Sequence, residues 1–561
     1  MRILVAALLG SCALLLAFGH EAASARPGST QAADPVLGTW RVTSGGSGTF
    51  VIVANTGTDY YRMTATTPLT ILCAHAATGD TIGITYRAGS FSKPKGQYVG
   101  AVTNNGTDCQ ETINFSLSGD TISGHDIGTG KTNETFTFVR AGSTTPPPSG
   151  KLTIRWAMQN RFGVDRNGDH LIDYLTTKQQ IDPPGYTVDV LLSAGGGCPS
   201  GNAVFAVGGK RVPSAAAPGV ACGYFVEFPK QGKQKLTVEL AGPSGTAKGA
   251  TDVEVRDFLI AGLGDSNGSG EGSPDIPGTS PTWEHLRCDR SANSFEAQAA
   301  LLVSRRDPAK ASVTFVHLAC SGASMPKGLL GPYPGINDPG GPPLASQLSQ
   351  LAELKGKREL DALLLSIGVN DIDFSPLVSF CLAQDACMNQ PYPNASSKET
   401  LSAATAHKLA ALPGLYARLN DRLAALHIPA GRVYITEYPD STHDARGAFC
   451  NPLISVPGKG TFDQAEAAWA FQHVLTPLNK AVAAAAGKFH WHLLSGVGQA
   501  FAAHGYCSSD PWIVGLTESL ANEGTTYGTL HANAVGQRSV AALLYRQLAP
   551  ALFPGGKPRQ P

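Results

Sequence analysis

From Asp257 onward the chain alternates two kinds of segment, and this restricts its fold more than any other feature. "FLIAGLGD", "SVTFVHLAC", "ALLLSIGVND", "RVYITEYPD" and "FHWHLL" are short, nearly continuous apolar runs. Between and after them lie longer runs with helical spacing, such as "NSFEAQAALLVSRR", "ETLSAATAHKLAALPGLYARLNDRLAAL" and "NAVGQRSVAALLYRQLAP". A strand that is apolar on both sides must be buried on both faces. The alternation therefore predicts a three-layer α/β domain over 257–555, a parallel sheet covered by helices and joined by right-handed crossovers. Ligands of such open sheets bind beyond the carboxyl ends of the strands.

The chain ahead of this domain is of another kind. Residues 34–142 read as a small all-β module, a barrel or a sandwich, from Thr/Val/Phe/Tyr-rich runs such as "GTFVIVAN", "TINFSLSG" and "ETFTFVRAG" punctuated by Gly, Asn and Asp. A Pro/Ser/Thr linker, "STTPPPSG", occupies 143–150. Residues 151–256 form a second, sandwich-like β module from "YTVDVLLSA", "NAVFAVGG", "GYFVEFPKQG" and "QKLTVELAG", with "TDVEVRDFLI" leading out of it. Its insert "DRNGDHLID" sets Asp165, Asn167, Asp169 and Asp173 at positions 1, 3, 5 and 9 of a calcium-type loop. His170 replaces the sharp-turn glycine and Thr176 the bidentate glutamate, so a structural calcium and a tight loop held by its own Asx side chains both remain open.

Arg2, the apolar run 3–18 and Ala23-Ser24-Ala25 match a secretory signal over 1–25, cleaved after Ala25. Cys12 lies inside the apolar run rather than at its end, which argues against lipid anchoring there. An exported chain keeps disulfides. Removing Cys12 leaves ten cysteines in neighbouring couples, and sequential pairing is expected: Cys73–Cys109, Cys198–Cys222, Cys288–Cys320, Cys381–Cys387 and Cys450–Cys507. Spacing alone does not fix that connectivity, while zinc ligation lacks its usual clusters. Net charge is zero with 15% charged residues and no basic run, so no nucleic-acid partner is expected.

Candidate chemistry gathers at strand ends. Ser266 directly follows the first apolar run of the α/β region, in "GLGDSNGSGEG". Gly322 follows the second in "CSGAS", Asn370 the third in "GVND", and His531 precedes the last helix in "LHANAVGQ". A nucleophilic serine needs a base and fixed donors for its oxyanion. Taken singly, each is more commonly a turn, cap or surface residue; the ordered set is what carries weight. Asp265, Asp371 and Asp373 read as turn-stabilising side chains, and His317 and His407 as packing or surface residues.

The set resembles the SGNH (GDSL-type) serine hydrolases, over about 300 residues from Asp257 to Phe553. "GDSNGSGEG", "CSGAS", "GVND" and "HANAVGQ" look like their first, second, third and fifth blocks. The resemblance implies a flavodoxin-like fold and a carboxylic ester hydrolase acting through an acyl-enzyme. It implies Ser266 as nucleophile, His531 as base, and the Ser266 N–H, the Gly322 N–H and the Asn370 side chain as oxyanion donors, with no cofactor for catalysis. It departs at Gly528, three residues before His531, where the family has aspartate. The chain also resembles secreted actinobacterial-type esterases and lipases with "GDSxxSGEG". Their three cysteine pairs match 288/320, 381/387 and 450/507, and in some members a backbone carbonyl replaces the acid. That resemblance implies the Gly528 carbonyl as partner of His531, with Asp510, Glu518 and Glu523 as alternatives.

Other readings stay beside this one. "GDSNG" is literally G-x-S-x-G, the elbow of α/β-hydrolases, for which Asp440 or Asp444 would supply the acid, but no HGG-like loop lies upstream. Ser266 could be a plain turn serine. The expected substrate is a lipid ester or an acylated glycan. The expected function is that of an esterase or lipase, with a polysaccharide acetyl esterase as the alternative and an inactive exported adhesion or binding protein as the reading from another class. The long loop Met325 to Leu344 is expected to shape an acyl or alcohol pocket. The β modules could contact a cell surface or polysaccharide, although only Trp40 and Trp156 lie in them.

Overall fold

A computed structural model describes residues 37–554 apart from 45, 55–59, 72–73, 77, 79–80, 87–96, 104–109, 119–120, 127–134, 141–151, 160, 163–173, 195–200, 218–219, 221, 243–244, 308, 397 and 459. The expected signal, the linker, the calcium-type loop with Asp165, Asn167, Asp169 and Asp173, and the pair Cys73–Cys109 lie outside the described residues.

The first module is a closed antiparallel barrel. Its strands are Gly38–Ser44, Thr49–Ala54, Tyr60–Ala65, Thr81–Tyr86, Gln97–Thr103, Gln110–Ser118, Thr121–Asp126 and Thr135–Arg140, each paired with the next and the last closing on the first. Closure removes the free edges that short sheets expose. Alternate side chains fill the interior: Trp40, Phe50, Phe136 and Phe138 are at most 1% exposed, with Phe136 stacked on Phe138 at 4.7 Å.

The second module packs two four-stranded antiparallel sheets face to face. Thr153–Met158, Tyr186–Ser193, Gly223–Phe228 and Ser214–Ala216 form one; Lys210–Arg211, Asn202–Val207, Gly232–Gly242 and Gly245–Val255 form the other. Val188, Val190 and Leu192 alternate inward and meet Phe205, Leu236 and Val238 in one core. The run read from sequence as a lead-out, "TDVEV", instead belongs to an eleven-residue strand paired along its length with Gly232–Gly242.

The third module contains the parallel sheet. We label its strands β1 (Asp257–Gly264), β2 (Ser312–His317), β3 (Ala362–Ser366), β4 (Val433–Thr436) and β5 (His492–Leu494); their spatial order is β2-β1-β3-β4-β5, all parallel. Successive side chains serve opposite layers, as strand geometry requires. Leu259, Ala261, Leu363 and Leu365 join helices α2 (Gln347–Lys355), α4 (Leu401–Ala425) and α5 (Thr476–Phe489), numbered with α1 (Phe295–Arg306) and α3 (Phe374–Ala383). Phe258, Ile260, Ala362 and Leu364 join α1 and α6 (Ala534–Leu552) on the other face. Cys288–Cys320, Cys381–Cys387 and Cys450–Cys507 are disulfides, as the sequential pairing expects. Cys222 is also disulfide-bonded, to a partner outside the described residues. These bonds suit an oxidising, extracellular setting. Among the described residues no helix is long and apolar enough to cross a membrane.

A segment of the sandwich module enters the core of the parallel-sheet module. Between its strands Thr153–Met158 and Tyr186–Ser193 the sandwich sends out a segment whose Phe162 packs on Phe315 of β2 at 5.3 Å, while Tyr174 lies 6.3 Å from the same ring. Ile181, fully buried, enters the opposite face beside Leu259 and Leu360. Asp257, at the start of β1, accepts Arg161 at 2.6 Å and the Thr314 hydroxyl at 3.0 Å, with Arg358 3.3 Å away.

Candidate active site

Beyond β1 the chain makes a sharp turn that only glycine permits. Gly264 has φ +141°, and a Cβ there would sit 2.0 Å from the Ser366 carbonyl oxygen. The Gln347 side chain bonds both the N–H and the carbonyl of Gly264 at 2.8 Å. Asp265 then caps the helical turn Ser266–Ser269: its Oδ1 accepts the Asn267 N–H at 3.1 Å and the Ser366 hydroxyl at 3.0 Å, and its Oδ2 the Tyr438 hydroxyl at 2.6 Å. Burial raises the Asp265 carboxyl to about 7. It is a structural group of the turn, bonded to Ser366 and Tyr438 rather than to His531.

His531 reaches this turn from the far end of the sequence. Its Nε2 lies 2.8 Å from Ser266 Oγ, a distance suited to proton transfer. Its Nδ1 is buried and makes no hydrogen bond of ordinary geometry, although the backbone of Gly528, Tyr527 and Thr529 faces the ring. The Gly528 carbonyl accepts the backbone N–H of His531 at 3.0 Å, and a carbonyl oxygen has a second lone pair to offer the ring. Burial lowers His531 to about 4, so the imidazole is neutral at ordinary pH.

The carboxylates considered as partners for His531 are engaged elsewhere. Asp510 is exposed and lies 3.4 Å from His504. Glu518 faces the N–H of Gly515 at 3.3 Å. Glu523 accepts the Gly272 N–H at 2.6 Å and lies against Gly528. Asp440 binds His443 Nδ1 at 2.6 Å and the Thr442 hydroxyl at 2.7 Å; Asp444 closes its own turn on Arg446 and Ala448. The acid placement that an α/β-hydrolase elbow needs is therefore not present in Asp440 or Asp444.

Gly322, after β2, has φ +78°. The N–H groups of Ser266 and Gly322 donate to no other described residue. Asn370 opens a 3₁₀ turn after β3 and donates one Nδ2 hydrogen to the Ala323 carbonyl at 3.0 Å, leaving its other hydrogen for a ligand. Asp371 fixes the neighbouring loop by accepting the Met325 N–H at 3.1 Å, and Asp373 pairs with Lys408 at 3.0 Å. His407 is exposed beside Glu399, whereas His317 is buried between Glu284 and the Gly268 carbonyl at 2.8 and 3.0 Å.

A cleft runs from Ser266 and His531. Its walls are mostly apolar: Phe374, Leu377 and Val378 of α3, Val474 and Leu475 from the helical run that leads into α5, and Leu478 of α5 itself. The turns in that run around Ala470–Leu475 are π-helical, a distortion common at functional sites. No residue of 325–344 lines this cleft; Tyr333 of that loop lies over Gly322, its hydroxyl 2.3 Å from where a glycine Cβ would stand. Sequence reading passed over Gln347, Tyr438 and the cleft walls. Tyr438 was within reach, because it too lies just beyond a strand end.

No family model and no curated protein matches the chain. Among solved structures it is similar to a carbohydrate esterase, described as having an active site with divergent catalytic and non-catalytic binding functions, at 14% identity and a TM-score of 0.25, covering 72% of this chain and 98% of that one. It is also similar to the chitinase ChiW of Paenibacillus sp. str. FPU-7, a cell-surface multi-modular enzyme, at 11% identity and a TM-score of 0.13, covering 54% of this chain and 25% of that one. Neither likeness is close enough to transfer a fold or an activity.

Proposed function

We propose that the chain is an exported serine ester hydrolase of the SGNH type working through a Ser266–His531 dyad. The observation that carries this reading is the 2.8 Å contact between Ser266 Oγ and His531 Nε2 at the head of the cleft, beside unengaged N–H groups. Neutral His531 takes the Ser266 proton as Oγ attacks the acyl carbon. The oxyanion is received by the N–H groups of Ser266 and Gly322 and by Asn370 Nδ2. His531 returns the proton to the leaving alcohol, then activates the water that hydrolyses the acyl-enzyme. The backbone carbonyl of Gly528 orients the ring and supports the transient imidazolium, in place of an acid.

The apolar cleft argues for an acyl chain of several carbons. An acetyl group would leave Val378, Val474 and Leu475 without a partner, whereas each methylene buried contributes about 0.8 kcal/mol. The test is hydrolysis of aryl esters of C2, C4, C8 and C16 acids and of an acetylated glycan, by the full chain and its Ser266→Ala variant. The expected result is Ser266-dependent turnover with highest kcat/KM at C8 or C16. Preference for C2 or the glycan would overturn the acyl-chain reading. Absence of Ser266-dependent turnover throughout would favour a binding protein.

A further inference from the structure

Three acidic side chains meet beside the oxyanion glycine, and the hydrolytic steps above use none of them. Glu271, Asp289 and Glu523 are 2%, 3% and 4% exposed. Each belongs to a different loop of the site. Glu271 ends the turn that begins at Ser266, and its Oε2 accepts the hydroxyl of Ser321, the neighbour of Gly322. Asp289 follows Cys288, whose carbonyl accepts the Ser321 N–H at 3.0 Å, and its carboxylate accepts the Asn337 side chain. Glu523 accepts the Gly272 N–H at 2.6 Å and abuts Gly528, three residues before His531.

One atom shows how the cluster is held. Glu271 Oε1 is fully buried and has no N–H or O–H donor. The Glu271 side chain hydrogen-bonds with the carboxyl of Asp289. Two carboxyl groups bond only when one of them carries a proton. Among the described residues no cation enters the cluster to replace it. Arg287 is turned to the Pro334 and Pro342 carbonyls and to Asp338; Arg290 is turned to Ala319 and Glu284; His531 is committed to Ser266. The remaining titratable neighbour is Tyr333, raised to about 12 by burial and by Glu271 and Asp289.

We propose that Glu271 and Asp289, with Glu523 beside them, are positioning residues that hold the Ser266 turn, the Gly322 loop and the His531 loop in register only while the Glu271–Asp289 pair keeps its shared proton, so that alkali switches the site off. This rests on the hydrolase reading above. Burial and mutual repulsion keep Glu271 well above the ordinary carboxylate range, Asp289 at about 6 and Glu523 at about 7. A carboxyl raised on folding binds its proton more tightly in the folded chain. Its stabilisation is full below the unfolded value, about 4, and is lost as pH climbs through the folded value.

Glu271→Gln tests this directly in the full chain. The glutamine amide can donate to Asp289 and its oxygen can accept the Ser321 hydroxyl, reproducing the protonated glutamic acid without a titrating proton. Turnover of a C8 aryl ester and thermal unfolding are both followed from pH 5 to 9. The wild type is expected to lose kcat and Tm together on the alkaline side, as Glu271, which holds the shared proton, gives it up. Glu271→Ala is expected to lose kcat at least about 30-fold throughout. Glu271→Gln is expected to stay within about threefold of wild type at pH 6 and to move both alkaline losses up by at least one pH unit. Asp265 and Asp371, both raised to about 7, and Glu296, buried against Gly268 and held well above the ordinary carboxylate range, are other buried carboxyls beside the site. Losses that keep the wild-type midpoint in Glu271→Gln would assign them to one of these three and overturn the proposal, as would a Glu271→Gln variant as impaired as Glu271→Ala. The Tm arm decides the matter even if no ester is turned over, which separates this outcome from failure of the hydrolase reading.

Discussion

At the scale of single residues, the site depends on a base whose burial keeps it neutral. His531 is lowered to about 4 and must be unprotonated to accept the Ser266 proton. Its activity is therefore present above the folded value and lost as pH falls through it. We predict that kcat/KM on an aryl ester holds its plateau down to about pH 5 and is halved near pH 4; a midpoint close to 6.5, the ordinary histidine value, would contradict this burial. Ser266, Gly322, Asn370 and His531 could be named from sequence because each lies at or beside the end of a predicted element. Glu271, Asp289 and Glu523 could be seen but not joined. Asp289 and Glu523 converge on Glu271 from other loops, and no local pattern records such an encounter.

At the scale of elements, the βα alternation was legible because strands buried on both faces leave no polar positions. Leu259 and Leu363 serve one layer, Phe258 and Leu364 the other. The barrel strands Gly38–Ser44 and Gln97–Thr103 were missed; their glycines and short apolar content weaken the period-2 signal. The cleft wall was equally hidden. α3 and the π-helical turns at Ala470–Leu475 come together through packing between segments nearly a hundred residues apart. Val378, half-buried on α3, faces this cleft. Val378→Trp should fill it and reduce kcat/KM for a C16 ester at least about tenfold relative to C4, since a few methylenes are worth about 1–3 kcal/mol each at such a site. Equal effects on both esters would place the acyl chain elsewhere.

At the scale of the whole molecule, the modules that look separate in sequence are joined through Phe162, Tyr174 and Ile181. Each such side chain contributes about 1.5–3 kcal/mol when buried, so together they approach the lower end of a domain's total stability. A fragment of residues 257–561 should therefore unfold at least about 10 °C below one of residues 152–561, as read by calorimetry. Equal Tm values would mean that the docked segment adds nothing. Asp257 was invisible as a junction because a strand-initial aspartate looks like an ordinary polar boundary, yet it gathers Arg161 and Arg358. All of this organisation serves one proposed event, acylation of Ser266, which can be weighed on the intact protein. Incubation with an alkyl phosphonate ester should add one adduct mass to the full chain, mapped by peptide mass to the segment holding Ser266. The adduct should be absent in Ser266→Ala and slowed by at least about a thousandfold in His531→Ala. An unmodified wild type, or an adduct that persists in Ser266→Ala, would contradict the account.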